Sequence, residues 1–401
     1  MIFLKNAVQF GAGSIGRGFM GQLFWEAGYR TTFIEARKEL VKLINEEKKY
    51  PLKLLDAYAK KEIDLIIDNI DSLEAGDMES IAFVLSKADI IGTAVGVEVL
   101  QLIAPSIAEG IKNRMQINPE PIDIYLCENT LEAYNILKKA VLDKLDPKTR
   151  IWAEDNVGFV GMVVARMVPP PNDRFGVKSP LLVSADAYHK LPFDVKNVKA
   201  ELPNISGMKP VKNFKAEFER KLFTLNLGHA ILGYLGYLKN YTYVHEPFDD
   251  KFTKKIFNNV LSETSRALVK KYPEDIDVRG QREMIKDVNI RFKNPMLMDT
   301  VYRVARDLIR KLGPEDRLIG SAKLCLENDV FPDNIAYVCG AAFNYDYDKD
   351  KIAQKLKKII DKIGIEEALE KISKIDSSSG FGKKIIENYY DIKKRRKDWT
   401  R

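Results

Sequence analysis

Cysteine and histidine are scarce in this chain. Among 401 residues there are three cysteines, Cys127, Cys325 and Cys339, and three histidines, His189, His229 and His245, all far apart. That spacing excludes a disulfide scaffold and a Cys-rich zinc site, and no HExxH motif is present, so a zinc-dependent mechanism has few ligands to draw on and no metal is expected. Sparse cysteine suits a reducing cytoplasm, the expected location. Long apolar runs are also missing. No stretch approaches the ~18 residues of a membrane span. The start, MIFLKNAVQFGAG, runs into a strand pattern without a basic leader or cleavage site, so no secretory signal is expected. Charge of one sign is modest. The net charge is +7, and residues 391–401 alone hold six bases against two acids. The rest is too balanced for a nucleic-acid-binding domain, and the basic end reads as a solvated tail.

What is present is an ordinary globular composition, 45% apolar and 30% charged, long enough for two or three domains. The first half alternates strand-like and helical patterns. Strands are expected at 7–10, 31–35, 64–70, 88–95 and 121–129, and helices at about 15–27, 37–48, 98–113 and 131–144. Such alternation argues for βαβ units around a doubly wound parallel sheet of Rossmann type. Residues 50–75 hold extra strand-like pieces, read as a small insertion, and the prolines at 169–171 read as a linker or rigid turn. Beyond about 213 the pattern is helical: 213–239, 251–271, 280–291, 296–312, 317–328, 331–344 and 350–374. The expected organisation is an α/β dinucleotide-binding domain over 1–195 and an all-α domain over 196–401 that carries the substrate chemistry.

Gly11-Ala12-Gly13-Ser14-Ile15-Gly16 has GxGxxG spacing, with a strand before it and an apolar helix after it. The first glycine permits the tight turn, the second lets backbone approach a pyrophosphate, and the third lets helix and strand pack closely. The helix N-terminus adds N–H donors and partial positive charge. Glu35 closes the next strand, where a carboxylate accepts hydrogen bonds from the adenosine ribose and repels a 2′-phosphate. NAD is therefore the expected cofactor, with Arg37 two residues on as a group that could soften the preference.

A second constellation lies in KLFTLNLGHAILGYLGYL, residues 221–238. The segment is apolar nearly all round, which predicts burial. Lys221, Asn226 and His229 are set into it. A buried lysine loses its proton readily, which suits a general base. On an ideal helix Asn226 lies about 140° and His229 about 80° round from Lys221, so the three fit one broad face, but Lys221 is two turns from His229.

These residues resemble those of the polyol-specific long-chain dehydrogenases/reductases, a metal-independent family. The likeness runs through FGAGSIGRGFMG (10–21), CEN (127–129), VGFV (157–160), RMVPP (166–170), LPNISGM (202–208), ERKLFTLNLGHAILGYLG (219–236), RFKNPMLMD (291–299) and RKLGPEDRLI (310–319). The KxxxxNxxH pattern is the family's catalytic signature. The resemblance implies that Lys221 is the base, that Asn226 and Asn129 hydrogen-bond the alkoxide-like oxygen, and that His229 orients substrate. It is strongest to the branch acting on phosphorylated sugars and implies NAD-dependent interconversion of D-mannitol 1-phosphate and D-fructose 6-phosphate. Reduction of hexuronates (tagaturonate or fructuronate) and a mannitol 2-dehydrogenase activity are the alternatives within the class. A non-catalytic NAD-binding sensor is the alternative outside it. Arg166, Arg220, Lys311 and Arg317 are candidates for the substrate phosphate. Ala165 stands where the family pattern commonly has an acid, and the tail past about 385 reads as an extension. A sugar or polyol phosphate is the expected partner, with neither nucleic acid nor membrane, for a monomer or homodimer.

Overall fold

The structure is a computed structural model and describes residues 5–169 and 179–399. It forms two compact units that part between Phe218 and Glu219. In the first, strands β1 (Asn6–Phe10), β2 (Arg30–Glu35), β5 (Ile70–Glu74), β6 (Ile90–Thr93), β7 (Ile122–Leu126) and β8 (Val157–Gly161) form a six-stranded sheet in the order β5-β2-β1-β6-β7-β8. Every pairing in it is parallel. This is the expected Rossmann-type doubly wound sheet, and chain order reverses between β1 and β6, which opens the ligand crevice at the carboxyl ends of those strands.

Parallel strands covered on both faces are apolar on both, and the strand residues here divide accordingly. Val8, Phe10, Ile91, Ile124 and Leu126 face one core, packed with residues of the helices Met78–Ser86, Leu100–Ile117 and Ala133–Leu142. Their neighbours Ala7, Ile90 and Tyr125 face the other, with Phe19, Met20, Leu23 and Phe24 from the helical segment after the glycine turn.

Several expectations change in detail. The run 64–70 is two strands, not one. β4 (Lys61–Ile67) ends and β5 begins across Asn69, whose φ of 54° no strand accommodates. The insertion is β4 paired antiparallel with β3 (Tyr50–Asp56), and β3 pairs in parallel with β9 (Val183–Asp186) to make a separate three-stranded sheet. The helix Pro147–Asn156 was not expected, although Asp146 caps it through Lys148 N and Thr149 N at 3.1 Å with Pro147 at its first position. The expected boundary at 195 falls short. β10 (Leu191–Asp194) and β11 (Met208–Val211) pair across it and stay in the first unit. Of the proline run, Pro170 and Pro171 lie outside the described residues.

The second unit is helical, as expected. The helix Lys251–Lys271 has the expected bounds, capped by Asp250 through Thr253 N at 2.6 Å. The expected helix 296–312 is instead broken into Pro295–Leu297, Val301–Ala305 and Leu308–Lys311, because Met298 and Asp307 take left-handed backbone (φ 47° and 62°). Residues 350–374 kink at Gly364. Over its described length the basic end is helical, with Lys393, Lys394 and Arg395 exposed to solvent as expected. It is the outer half of a helix, Gly380–Trp399, in which Arg396 donates to Asp346 at 2.7 Å, to the Tyr237 hydroxyl at 3.2 Å and to the Asn344 carbonyl at 3.1 Å. Among the described residues no helix is long and apolar enough to cross a membrane.

Candidate active site

The glycine turn is built by close approach. Gly11 has φ 87°, and a Cβ there would lie 2.6 Å from the Ala94 carbonyl oxygen; at Gly16 it would lie 1.8 Å from the Gly11 carbonyl oxygen. Only glycine lets the loop after β6, the turn after β1 and the helix start meet this way. A Cβ on Gly13 would meet nothing within 4 Å, so the turn is open there, as the approach of a pyrophosphate requires. Helix begins at Ser14, and its first-turn N–H groups lack intrahelical partners.

The turn is pinned from below by Arg17, a residue that sequence reasoning passed over. Its buried guanidinium donates to the carbonyls of Ala12 at 2.7 Å and Leu181 at 2.6 Å. Glu128 was missed as well. Its buried carboxylate accepts from the Thr93 hydroxyl at 2.8 Å and Val95 N at 3.1 Å, tying the end of β7 to the loop after β6 that abuts Gly11. Burial pushes the Glu128 carboxyl up in pKa against those hydrogen bonds. Its neighbour Asn129 is exposed just past the carboxyl end of β7.

Glu35 ends β2, as expected, and its carboxylate accepts from Ala12 N at 3.1 Å, which joins it to the glycine turn. Burial alone would raise its pKa, but Arg37 and the backbone N–H groups outweigh burial and hold it below the usual carboxylate range. The turn, the open space at Gly13 and the anchored carboxylate together fit a dinucleotide bound across the β1–β6 crevice.

In the second unit Lys221, Asn226 and His229 share one helical rod, but it is not a uniform α-helix. Phe214–Lys221 is α-helical, Leu222–Asn226 is a π-helical turn, and α-helix resumes at Leu227–Leu238. The ideal-helix angle between Lys221 and Asn226 therefore does not apply. Bonding of the i to i+5 type widens the turn, so a residue five positions on returns towards the same face.

Lys221 and Asn226 are both buried. Burial, helped by the Arg317 guanidinium and opposed by Asp316, pushes the Lys221 ammonium down to about 7. Arg317 Nη1 makes a long 3.4 Å contact with the Asn226 carbonyl while its Nε donates to Asp316 at 2.8 Å. His229 packs against Phe292 with ring centroids 4.4 Å apart and planes tilted by 41°, and its buried Nε2 has no hydrogen-bond partner among the described residues. Burial, followed by the cations Arg303, Arg317, Arg291 and Lys311, drives its pKa well below the ordinary histidine value, so the ring is neutral. A neutral imidazole with an unsatisfied, desolvated nitrogen is an open hydrogen-bonding position.

The mannitol dehydrogenase Rossmann domain model matches residues 5–207, and the mannitol dehydrogenase C-terminal domain model matches residues 211–393. The chain belongs to the mannitol dehydrogenase family. It is 37% identical over 390 residues to a mannitol-1-phosphate 5-dehydrogenase of Thermoanaerobacter pseudethanolicus, spanning 97% of this chain and 98% of that one. To the protein of the same name from Clostridium acetobutylicum it is 35% identical, over 97% and 100%. Among solved structures it shares its fold with Pseudomonas fluorescens mannitol 2-dehydrogenase in ternary complex with NAD and D-mannitol, at a TM-score of 0.78 and 17% identity over 99% of this chain and 94% of that one. A substrate-free D-sorbitol dehydrogenase gives 0.80, also at 17%, over 99% and 95%. The C-terminal match runs to residue 393, so about half of the segment read as an extension lies within the family's C-terminal domain.

Within this mannitol dehydrogenase chain the four phosphate candidates separate. Arg166 is committed inside the first unit, donating to Gly18 O at 3.0 Å, Gln22 at 2.6 Å and Tyr188 O at 2.6 Å, with its guanidinium over the Phe19 ring. Arg220 donates to Gln281 at 3.0 Å and Gly280 O at 2.7 Å. Lys311 and Arg317 are buried among the cations around His229. Lys311 Nζ donates to the carbonyls of Val304, at 2.6 Å, and Arg306. Arg303 and Arg291, which add to that cationic surround, were not singled out from sequence. Both belong to or follow the RFKNPMLMD segment, where an arginine next to apolar residues was the available signal. Arg303 is held by Asp299, the last residue of that segment. Among the described residues no group of three or more His, Cys, Asp or Glu could hold a metal ion.

Proposed function

We propose that this enzyme interconverts D-mannitol 1-phosphate and D-fructose 6-phosphate with NAD(H). The observation that carries the reading is Lys221. It is a buried lysine with a pKa near neutrality, at the start of a π turn that ends in Asn226, and Asn226 in turn lies one α-helical turn before a neutral, unsatisfied His229. The names of the full-length relatives support the choice of the phosphorylated pair.

In oxidation the neutral Lys221 amine takes the substrate hydroxyl proton as the C–H bond releases hydride, and in reduction the ammonium returns it. The Asn226 amide donates to the oxygen as alkoxide charge develops, and the family resemblance assigns Asn129 the same role; donors fixed before the reaction lower its barrier. His229 Nε2 satisfies its hydrogen-bonding capacity on a neighbouring substrate hydroxyl. Bound NAD would supply the hydride acceptor at its nicotinamide, held by the Gly11–Gly16 turn with Glu35 on the ribose. Arg317 is the cation best suited to the phosphate, since its Nη1 makes only a long contact with the Asn226 carbonyl, whereas Arg166, Arg220 and Lys311 are spent on protein acceptors and burial pushes the Lys311 ammonium well below its ordinary value.

The test is NADH consumption with fructose 6-phosphate, fructose, tagaturonate and fructuronate. Fructose 6-phosphate is expected to give the highest kcat/KM. A higher value with any of the other three replaces the substrate assignment, and no turnover with all four, alongside measurable NADH binding, favours a non-catalytic role.

A further inference from the structure

Glu35 is more fully engaged than a ribose-binding carboxylate should be. Oε1 accepts from Ala36 N, Arg37 N and Arg37 Nε, each at 3.0 Å. Oε2 accepts from Ala12 N at 3.1 Å and Arg37 Nη2 at 3.0 Å. A carboxylate offers about four lone-pair positions, and five donors already address this one. Two ribose hydroxyls can be accepted only if two donors leave. The three backbone N–H groups cannot, because they belong to the turn and the strand end. The guanidinium can: the Arg37 side chain is 59% exposed and that of Glu35 only 8%.

We propose that Arg37 sets the dinucleotide preference by competing with the ribose for Glu35, so that it weakens NAD(H) binding and supplies the cation through which NADP(H) is tolerated. The inference rests on the reading that a dinucleotide binds at the Gly11–Gly16 turn. The exchange is like for like, two guanidinium N–H donors for two ribose O–H donors, but the ion pair must be broken first. The released guanidinium remains two residues from Glu35, at the N-cap of the helix Lys38–Glu47, where the helix end also favours an anion. With NADPH the ribose 2′-oxygen carries a phosphate. Arg37 can then bridge Glu35 and that phosphate, offsetting the repulsion between them. The neighbouring carboxylate at this edge, Glu74, in register with Glu35, is paired with Lys38 at 3.3 Å and leaves the role to Arg37.

Equilibrium binding of NADH and NADPH, followed by nucleotide fluorescence without substrate, tests this for the full-length wild type, Arg37→Ala, Arg37→Lys and Glu35→Gln. Arg37→Ala is expected to tighten NADH severalfold and to weaken NADPH roughly ten- to a hundred-fold, the size of a lost charge-assisted hydrogen bond. Arg37→Lys should fall between, since an ammonium cannot span both carboxylate oxygens. Glu35→Gln should favour NADPH by freeing Arg37. The proposal is overturned if Arg37→Ala changes both affinities by the same factor or neither, if Glu35→Gln does not shift preference towards NADPH, or if wild type shows no NADPH binding that Arg37→Ala could weaken. Wild type that binds neither nucleotide instead refutes the dinucleotide site itself.

Discussion

In the first unit the groups built to meet a ligand are largely main chain. The N–H groups of a helix start, three glycines at fixed spacing and one anchored carboxylate do the work, and the side chains around them, Arg17 and Glu128, hold backbone in place. In the second unit the groups are side chains, and the backbone serves them by a π turn that breaks the regular helix between Lys221 and His229. The difference is physical. A pyrophosphate is large, charged and always the same, so a rigid row of N–H dipoles suffices. A proton transfer needs one group whose proton affinity matches the working pH, and here burial of a lysine beside an arginine provides it.

Changing Lys221 tests that contrast most severely. Lys221→Ala is expected to lower kcat by ~10²–10⁴-fold, the usual contribution of a placed base. NADH affinity, measured by fluorescence, should remain near wild type, because the glycine turn belongs to the other unit. Near-normal kcat would mean that Lys221 is not the base and would turn attention to His229.

The cations around His229 come next. Arg317→Gln should lower kcat/KM for fructose 6-phosphate by roughly ten- to a hundred-fold while changing fructose use far less, whereas Lys311→Met, which removes a group held by two carbonyls, should lower Tm and affect both sugars alike. Arg166→Gln should likewise lower Tm and affect both sugars alike, because its guanidinium serves Gly18, Gln22 and Tyr188. Equal loss of both sugars in all three variants would place the phosphate elsewhere.

The glycines of the turn sharpen the comparison from the other side. Gly16→Ala puts a methyl 1.8 Å from a carbonyl oxygen and must move backbone, so both Tm and NADH affinity should fall. Gly13→Ala meets nothing in the protein, so Tm should hold while NADH binding weakens. Loss of Tm in both would mean that the second glycine is structural.

The smallest effects concern pH. Lys221 must be neutral to accept a proton and its pKa is lowered to about 7, so polyol oxidation should rise with pH through about 7 and then level off. Ketose reduction needs the ammonium and should fall over the same range. Asp316 supports the charged form, so Asp316→Asn should move both midpoints to lower pH by less than about one unit. Profiles that stay in place would mean that another group titrates.

The parallel sheet was legible because its signals are local. The run of apolar residues into Gly11, the glycine spacing and the acid closing β2 each depend on neighbours a few positions away. Lys221, Asn226 and His229 were legible for the same reason, as polar residues in an apolar helix. Elements set by backbone at single positions were not. Asn69 and Asp307 are of types merely enriched in left-handed backbone and Met298 is not even that, so the strand 64–70 and the helix 296–312 were read as continuous. The reading of a solvated end holds for Lys393, Lys394 and Arg395 but not for Arg396, which is held by Asp346, 50 positions earlier in the chain.

The amino-acid sequence by itself determined where a dinucleotide turn forms, which helix is buried and which residue types it carries, because composition and short-range spacing are enough to set strand, turn and helix. Tertiary structure decided which charges are available. It spent Arg166 and Arg220 on backbone and amide acceptors, paired Arg37 with Glu35, gathered Arg303, Lys311 and Arg317 around a neutral His229, and lowered the proton affinity of Lys221. Electrostatic free energy depends on distance and on exclusion of water, and neither is a property of position along the chain.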